Sequence, residues 1–247
     1  MSLFDKFRTL AEAREGLGHH GVPPLATPID DVFSATEGMI GGQRVILAGT
    51  NNYMGLTLDP DVVEAGRRAM QLYGSGTTGS RMANGSYRLH RSLERALADA
   101  WAWPSAIVFS TGYQANLGTI SALAGDGDHL LLDSDSHASI YDGARMSAAR
   151  TIVFRHNDPA NLDRRLERLG DEAGRALIIV EGLYSMLGDQ PPLTEFVDVK
   201  RRHGAWLLVD EAHSFGVFGE TGLGLAQQEG VLDDEIGRAS CRERVYT

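Results

Sequence analysis

The stretch Trp206-Leu207-Leu208-Val209-Asp210-Glu211-Ala212-His213-Ser214 decides how this chain is read. Four apolar residues in a row, with no polar alternation, mark a strand covered on both faces, the habit of strands in a parallel sheet. The run stops at an acid, and a histidine follows three residues later. In open parallel sheets ligands bind outside the carboxyl ends of the strands, so Asp210 stands where chemistry is expected. Taken alone, it reads first as a cap on the turn that follows.

Working upstream, short apolar runs alternate with amphipathic segments: AIVFS (106–110), YQANLGTISALAG (113–125), HLLLD (129–133), ASIYDGARMSA (138–148), TIVFR (151–155), NLDRRLERL (161–169), ALIIVEG (176–182) and TEFVDVKRRHG (194–204). Strands separated by helices in this way predict an α/β fold, a mostly parallel central sheet with helices on both faces. Asp59 and Pro60 start a helix expected to run through Tyr73, and a second is expected from Tyr87 to Trp101. Before them come a charged N-terminal helix, the Pro/Gly-punctuated HHGVPPLATP, and a hairpin over EGMIGGQRVILAG that turns at Gly41 and Gly42. The organisation read from this is a helix and arm over 1–58, a large domain over 59–236, and a tail, 237–247. GRASCRERVYT, with three arginines and the single cysteine, breaks the pattern and is expected to be non-native.

Composition narrows the function classes. With 43% hydrophobic residues in 247, the chain can bury a substantial core. An excess of 33 acidic over 23 basic residues gives a net charge of −10, the wrong sign for a nucleic-acid or polybasic membrane partner. Cys241 alone permits no internal disulfide and no cysteine metal cluster, so no metal is expected. No signal-peptide pattern and no apolar run of about 18 residues is found, and the expected location is the cytoplasm.

What changes the reading of Asp210 is company. Ser110-Thr111-Gly112-Tyr113-Gln114-Ala115-Asn116 and Asp133-Ser134-Asp135-Ser136-His137-Ala138-Ser139 follow two other apolar runs, so three polar turns are expected to converge. Gly112 lets backbone approach an anion held by the N–H groups of a helix start. The glycine-rich GSGTTGSR follows a helix instead of a strand, which argues against a dinucleotide fold and for a loop that brings two backbones together.

The strings GSGTTGSRMANG, VFSTGYQANLG, DSHASIYDGA, FRHND, EGLYSMLGD and LLVDEAHSFGVFGETGLG, in that order, resemble the α-oxoamine synthases, a family of fold-type I pyridoxal-phosphate enzymes, and within it the bacterial serine palmitoyltransferase branch. The resemblance runs from about Leu3 to Ile236 and implies an aminotransferase-like fold with pyridoxal 5'-phosphate as cofactor. It implies Gly112 and Tyr113 beside the cofactor phosphate, His137 stacked on the ring, Asp210 paired with the ring nitrogen, His213 at the ring hydroxyl and Ser185 also at the cofactor. Asn52 is implied on the substrate side, with Ser80 and Met82 reaching across a dimer interface. The implied reaction condenses L-serine with a long-chain acyl-CoA such as palmitoyl-CoA, with loss of CO2, to 3-oxosphinganine, in a homodimer. The alternatives are a related synthase joining glycine to a short acyl-CoA or a pimeloyl thioester, and a non-catalytic partner subunit. His156 matches a motif but receives no catalytic role, like His19, His20, His90, His129 and His203.

Two departures accompany the resemblance. The family holds its cofactor through a lysine in a Ser/Thr-rich turn after the next strand, whereas this sequence has only Lys6 and Lys200. The expectation is a truncated or wrongly joined frame that lacks the C-terminal lobe and does not turn over. Gly222-Leu223-Gly224 also stands where the family commonly has Gly-Arg-Gly.

Overall fold

The computed structural model describes residues 4–18, 27–234 and 237–239. Residues 19–26, with His19 and His20, and those from 240 on, with Cys241, lie outside them. The chain divides into two units, Met1–Pro60 and Asp61–Thr247. In the first, a 3-10 turn over Asp5–Phe7 leads into α1 (Arg8–Gly18), as the helical pattern predicts. Three short strands, β1 (Asp31–Val32), β2 (Glu37–Ile40) and β3 (Gln43–Ile46), form an antiparallel sheet. The predicted hairpin is β2–β3, and its two-residue loop holds Gly41 at φ +58° and Gly42 at φ +76°. Both angles lie in the left-handed region that such a turn requires and that glycine enters without steric cost.

Two helices, α2 (Pro60–Tyr73) and α3 (Arg88–Ala100), fall where the sequence places them. After α4 (Gly112–Leu123) the alternation begins: β4 (His129–Asp133), α5 (Ala138–Met146), β5 (Arg150–Phe154), α6 (Pro159–Glu167), β6 (Ala176–Glu181), α7 (Leu193–His203), β7 (Trp206–Asp210), the short α8 (Leu225–Gln228) and β8 (Gly237–Ala239). The five strands pair in the order β5-β4-β6-β7-β8, and every pairing is parallel. Thus the start of the tail, Gly237–Ala239, runs as a strand beside β7.

Period-two alternation within each apolar run sorts side chains onto two faces. Leu131, Ile178, Val180, Leu207 and Val209 pack with Leu162 and Leu166 of α6 and Phe196 and Val197 of α7. Leu130, Leu132, Leu177, Ile179 and Leu208 pack with Ile120 of α4 and Ile140 of α5 on the other. Each such fully buried aliphatic side chain contributes about 1.5–3 kcal/mol relative to exposure. From β4 the chain steps outward to β5 and then back across to β6, so the order reverses between β4 and β6. Right-handed crossovers in opposite directions put α5 and α6 on opposite faces, as observed.

One expected strand is absent. Ala106–Ser110 makes no ladder, although its composition matches the strands that do. The Val108 carbonyl accepts from Arg81 at 3.0 Å, and its N–H donates to Glu94 at 3.2 Å. Side chains from the preceding loop and from α3 therefore take the backbone groups a neighbouring strand would use. That loop is the glycine-rich segment, and a Cβ on Gly85 would lie 1.8 Å from the Gly79 carbonyl, so the expected close approach of two backbones is present.

Candidate functional site

The order reversal between β4 and β6 fixes where a ligand crevice opens: outside the carboxyl ends of β4, β6 and β7. Three strands end there in acids, Asp133, Glu181 and Asp210, all buried. Glu181 and Asp210 are direct partners in the parallel register.

Asp210 Oδ2 accepts from Asn116 Nδ2 at 2.7 Å, and Oδ1 accepts from the Ala212 N–H at 2.9 Å. Burial pushes its carboxyl above the usual range, opposed by those hydrogen bonds and by the charge of His137 and His213 nearby. Asn116, on the second turn of α4, also donates to Ser139 Oγ at 2.8 Å. Ser139 Oγ lies 2.7 Å from His137 Nδ1, and His137 caps the start of α5. A continuous polar path thus joins His137 to Asp210 across α5, α4 and β7.

Glu181 also holds His137, whose N–H donates to its carboxyl group. Burial, then the charges of Asp210 and Asp133, push the Glu181 carboxyl up to about 8, against the pull of the His137 N–H and the charge of His156. At neutral pH this carboxyl is therefore mostly protonated, which relieves three buried acids of mutual repulsion.

The expected site residues divide into those the fold brings together and those it leaves apart. Gly112 is buried at the first position of α4, after Thr111, whose side chain caps the helix by accepting from the Gln114 N–H at 3.1 Å. Tyr113 stands edge-on to the His137 ring at 6.4 Å, and its hydroxyl donates to Asp142. His213 lies close enough to Asp210 to act on its charge. Ser185 is exposed on the turn after β6, and no direct bond links it to His137 or Asp210. Ser80 and Met82 are exposed in the loop between α2 and α3, Met82 completely. Asn52, in the first unit, accepts from the Thr57 N–H at 3.4 Å within its own loop.

Four members of this arrangement were not assigned from sequence: Asn116, Asp133, Ser139 and Glu181. Glu181 carried a readable signal, being an acid that closes an uninterrupted apolar run just as Asp133 and Asp210 do. Asn116 and Ser139 lie inside motifs already quoted, but a pairing between residues 23 apart has no local signature. Also unforeseen, Asp133, Asp135 and His156 bring potential metal-ligand atoms within 4.8 Å of one another. The His156 nitrogens in that group are already hydrogen-bonded, Nδ1 to Asp133 at 2.8 Å and Nε2 to Asp189 at 3.0 Å.

The residues suit a protonated heteroaromatic ring. Asp210 is an acid kept from water whose two hydrogen bonds come from neutral donors, and such an acid is stabilised by a cationic N–H partner. Asn116 Oδ1 and Ser136 Oγ are buried with no hydrogen-bond partner in the protein, so polar atoms of a ligand would be met here.

The model of the aminotransferase class I and II family matches residues 43–238. The chain belongs to that family. Among its members, the serine palmitoyltransferase of Caulobacter vibrioides is 54% identical over 234 residues, covering 95% of this chain and 58% of its own length. The 8-amino-7-oxononanoate synthase of Pseudomonas entomophila is 40% identical over 233 residues, covering 94% of this chain and 58% of its own length. The solved structure of a serine palmitoyltransferase variant from S. paucimobilis with bound PLP-myriocin aldimine superposes with a TM-score of 0.91 at 50% identity, covering 95% of this chain and 59% of that one. The fold is therefore the aminotransferase-like α/β fold expected from sequence. The chain spans about 58% of the length of these curated relatives.

Proposed function

We propose that these residues form the cofactor-holding part of a pyridoxal 5'-phosphate-dependent acyltransferase of serine palmitoyltransferase type, which joins L-serine to a long-chain acyl-CoA such as palmitoyl-CoA with loss of CO2. The observation that carries this reading is the buried Asp210, tied through Asn116 and Ser139 to His137. A bound pyridoxal ring protonated at its nitrogen supplies an electron sink for a carbanion at the amino-acid Cα. In this reading Asp210 keeps that nitrogen protonated, His137 lies on the ring, and His213 and Ser185 contact its polar edge. The start of α4 at Gly112 and Tyr113 offers N–H groups to the phosphate. Asn52, Ser80 and Met82 belong to the substrate side, the last two in a homodimer, and the location is cytoplasmic. Among the described residues no helix is long and apolar enough to cross a membrane.

Neither lysine of the sequence supports more than binding by these residues themselves. Lys200 Nζ donates to the Asp234 carbonyl at 2.6 Å from the last turn of α7, which feeds the start of β7 and thus the opposite end of the sheet. Lys6 sits in the N-terminal turn with its Nζ 5.1 Å from the Phe7 ring. A glycine-using synthase is the second reading, favoured by the 40% identity to an 8-amino-7-oxononanoate synthase.

The test is a titration of the purified chain with pyridoxal 5'-phosphate, followed by absorbance. Saturable binding is expected, with Asp210→Asn about a hundred-fold weaker, equivalent to about 2.7 kcal/mol. Equal affinity of the two proteins would overturn the reading. Addition of L-serine or glycine to the loaded chain separates the two synthases by which amino acid perturbs the spectrum.

A further inference from the structure

Next to Asp133 at the end of β4, the segment after β5 holds a histidine, His156, between two carboxylates. Its Nδ1 lies 2.8 Å from Asp133 Oδ1 at the end of β4, and its Nε2 lies 3.0 Å from Asp189 Oδ2 on the turn after β6. Both oxygens are acceptors, so a neutral imidazole would aim one lone pair at a carboxylate; the contacts on both nitrogens are satisfied together only by the imidazolium. The next residue completes the grip. The Asn157 N–H donates to Asp133 Oδ2 at 2.9 Å, and its Nδ2 donates to Asp189 Oδ2 at 3.1 Å and to the Gln190 carbonyl at 3.2 Å. Asn157 does this from the left-handed region, at φ +49°, which asparagine tolerates better than most residues. The His156 ring also stands edge-on to the Tyr184 ring at 4.5 Å.

The gripped turn is the one that bears Ser185. It closes through Tyr184 N–H to the Asp189 carbonyl at 3.0 Å and Gly188 N–H to the Tyr184 carbonyl at 2.7 Å. Ser185, Met186 and Leu187 at its tip are exposed. We propose that His156, as an imidazolium bridging Asp133 and Asp189, is the positioning residue that sets the Ser185 turn against the strand ends. This rests on the reading of Ser185 as a cofactor-side residue.

The titratable groups facing the ring are Asp133 at the end of β4, Asp135 just after it, Asp189 and Tyr184 on the turn, and Glu181 at the end of β6; none of them is a base. Burial works against charge on His156, and the hydrogen bonds to Asp133 and Asp189 outweigh it, holding its pKa above the ordinary imidazole value. A raised folded-state pKa means the grip is complete below the unfolded value and is lost as pH rises through the folded one.

Amide hydrogen exchange on the chain without cofactor tests the grip directly. His156→Gln is expected to speed exchange of the Tyr184 and Gly188 amides about ten-fold while leaving Ile178 and Ile179 of β6 unchanged. If that variant does not fold, Asp189→Ala removes one arm of the bridge and is expected to act in the same direction. Unchanged protection of Tyr184 and Gly188 in the variant would overturn the proposal. The link to the site is read by a double-mutant cycle on pyridoxal 5'-phosphate affinity. His156→Gln should weaken binding about ten-fold in the parent chain and not further in Ser185→Ala, whereas the same loss in both backgrounds would overturn it. A chain that binds no cofactor counts against the reading of the site, and the exchange measurement still decides the grip.

Discussion

The two ends of the parallel sheet are built on opposite principles. At the carboxyl ends of β4, β6 and β7, Asp133, Glu181 and Asp210 are buried side by side, and Glu211 just beyond accepts from the Leu225 and Ala226 N–H groups at 3.0 Å. At the starting ends, charge stays near water: Arg175 pairs with Asp128 at 2.9 Å, Glu172 is exposed although its carboxylate lies 2.9 Å from the buried His129 ring, and Trp206 is half exposed. Burying an ionisable group costs several kcal/mol unless it is paired or neutralised, so a protein retains a row of buried acids where they act on something. The difference assigns chemistry to one end and ordinary surface pairing to the other.

The largest expected effect comes from adding one methyl group at each end. A Cβ on Gly182 would lie 2.3 Å from Ser214 Oγ and 2.4 Å from Glu211 Oε2, both buried and bonded to each other. Gly182→Ala must push apart the layer that holds the acids and is expected to destabilise by about 3 kcal/mol in urea unfolding. At the starting end, a Cβ on Gly174 meets only the Gly204 carbonyl at 3.9 Å, an ordinary contact. Gly174→Ala is expected to stay within about 0.5 kcal/mol of the parent. Equal losses from the two substitutions would erase the contrast between the ends.

A second test works on the acids themselves. Because burial raises the Glu181 carboxyl to about 8, its contribution to stability is complete below its ordinary value and is lost as pH rises from about 4.5 to about 8. Glu181→Gln keeps an oxygen for the His137 N–H and removes the titration. Its unfolding free energy should be flatter across that window and exceed that of the parent by about 1–2 kcal/mol near pH 8. A parent-like slope in the variant would mean that another group carries it.

How much of this was legible in the sequence follows from the range over which each feature is determined. Strands β4, β6 and β7 were readable because Leu130–Leu132, Ala176–Val180 and Leu207–Val209 are apolar on both faces, a property of consecutive residues. The hairpin at Gly41 and Gly42 was readable for the same reason. Ala106–Ser110 misled because strand formation depends on a partner, and Arg81 and Glu94 claim the Val108 backbone from far along the chain. The placement of Asp210 and His137 followed from their positions after apolar runs. The bridge between them through Asn116 and Ser139 depends on how α4 and α5 pack, and Asp133 and Glu181 went unassigned although their positions obeyed the same rule as Asp210.

The smallest effect expected should come from the starting end. Arg175 Nε and one terminal nitrogen reach Asp128 Oδ1 at 3.0 and 2.9 Å, and Arg175 also donates to the Asp126 carbonyl at 3.2 Å. The Gly125 N–H, then Arg175, hold the Asp128 carboxyl below its ordinary range, so what stability it gives is present above the unfolded value and is lost as pH falls through the folded one. The Arg175 side chain is 57% exposed, however, and solvent screens a pair so placed. Arg175→Ala is expected to cost no more than about 0.5 kcal/mol, and the difference should vanish in molar salt. A loss approaching that of Gly182→Ala, or one that persists in salt, would show that the starting end also stores electrostatic energy and that buried acids are not what sets the two ends apart.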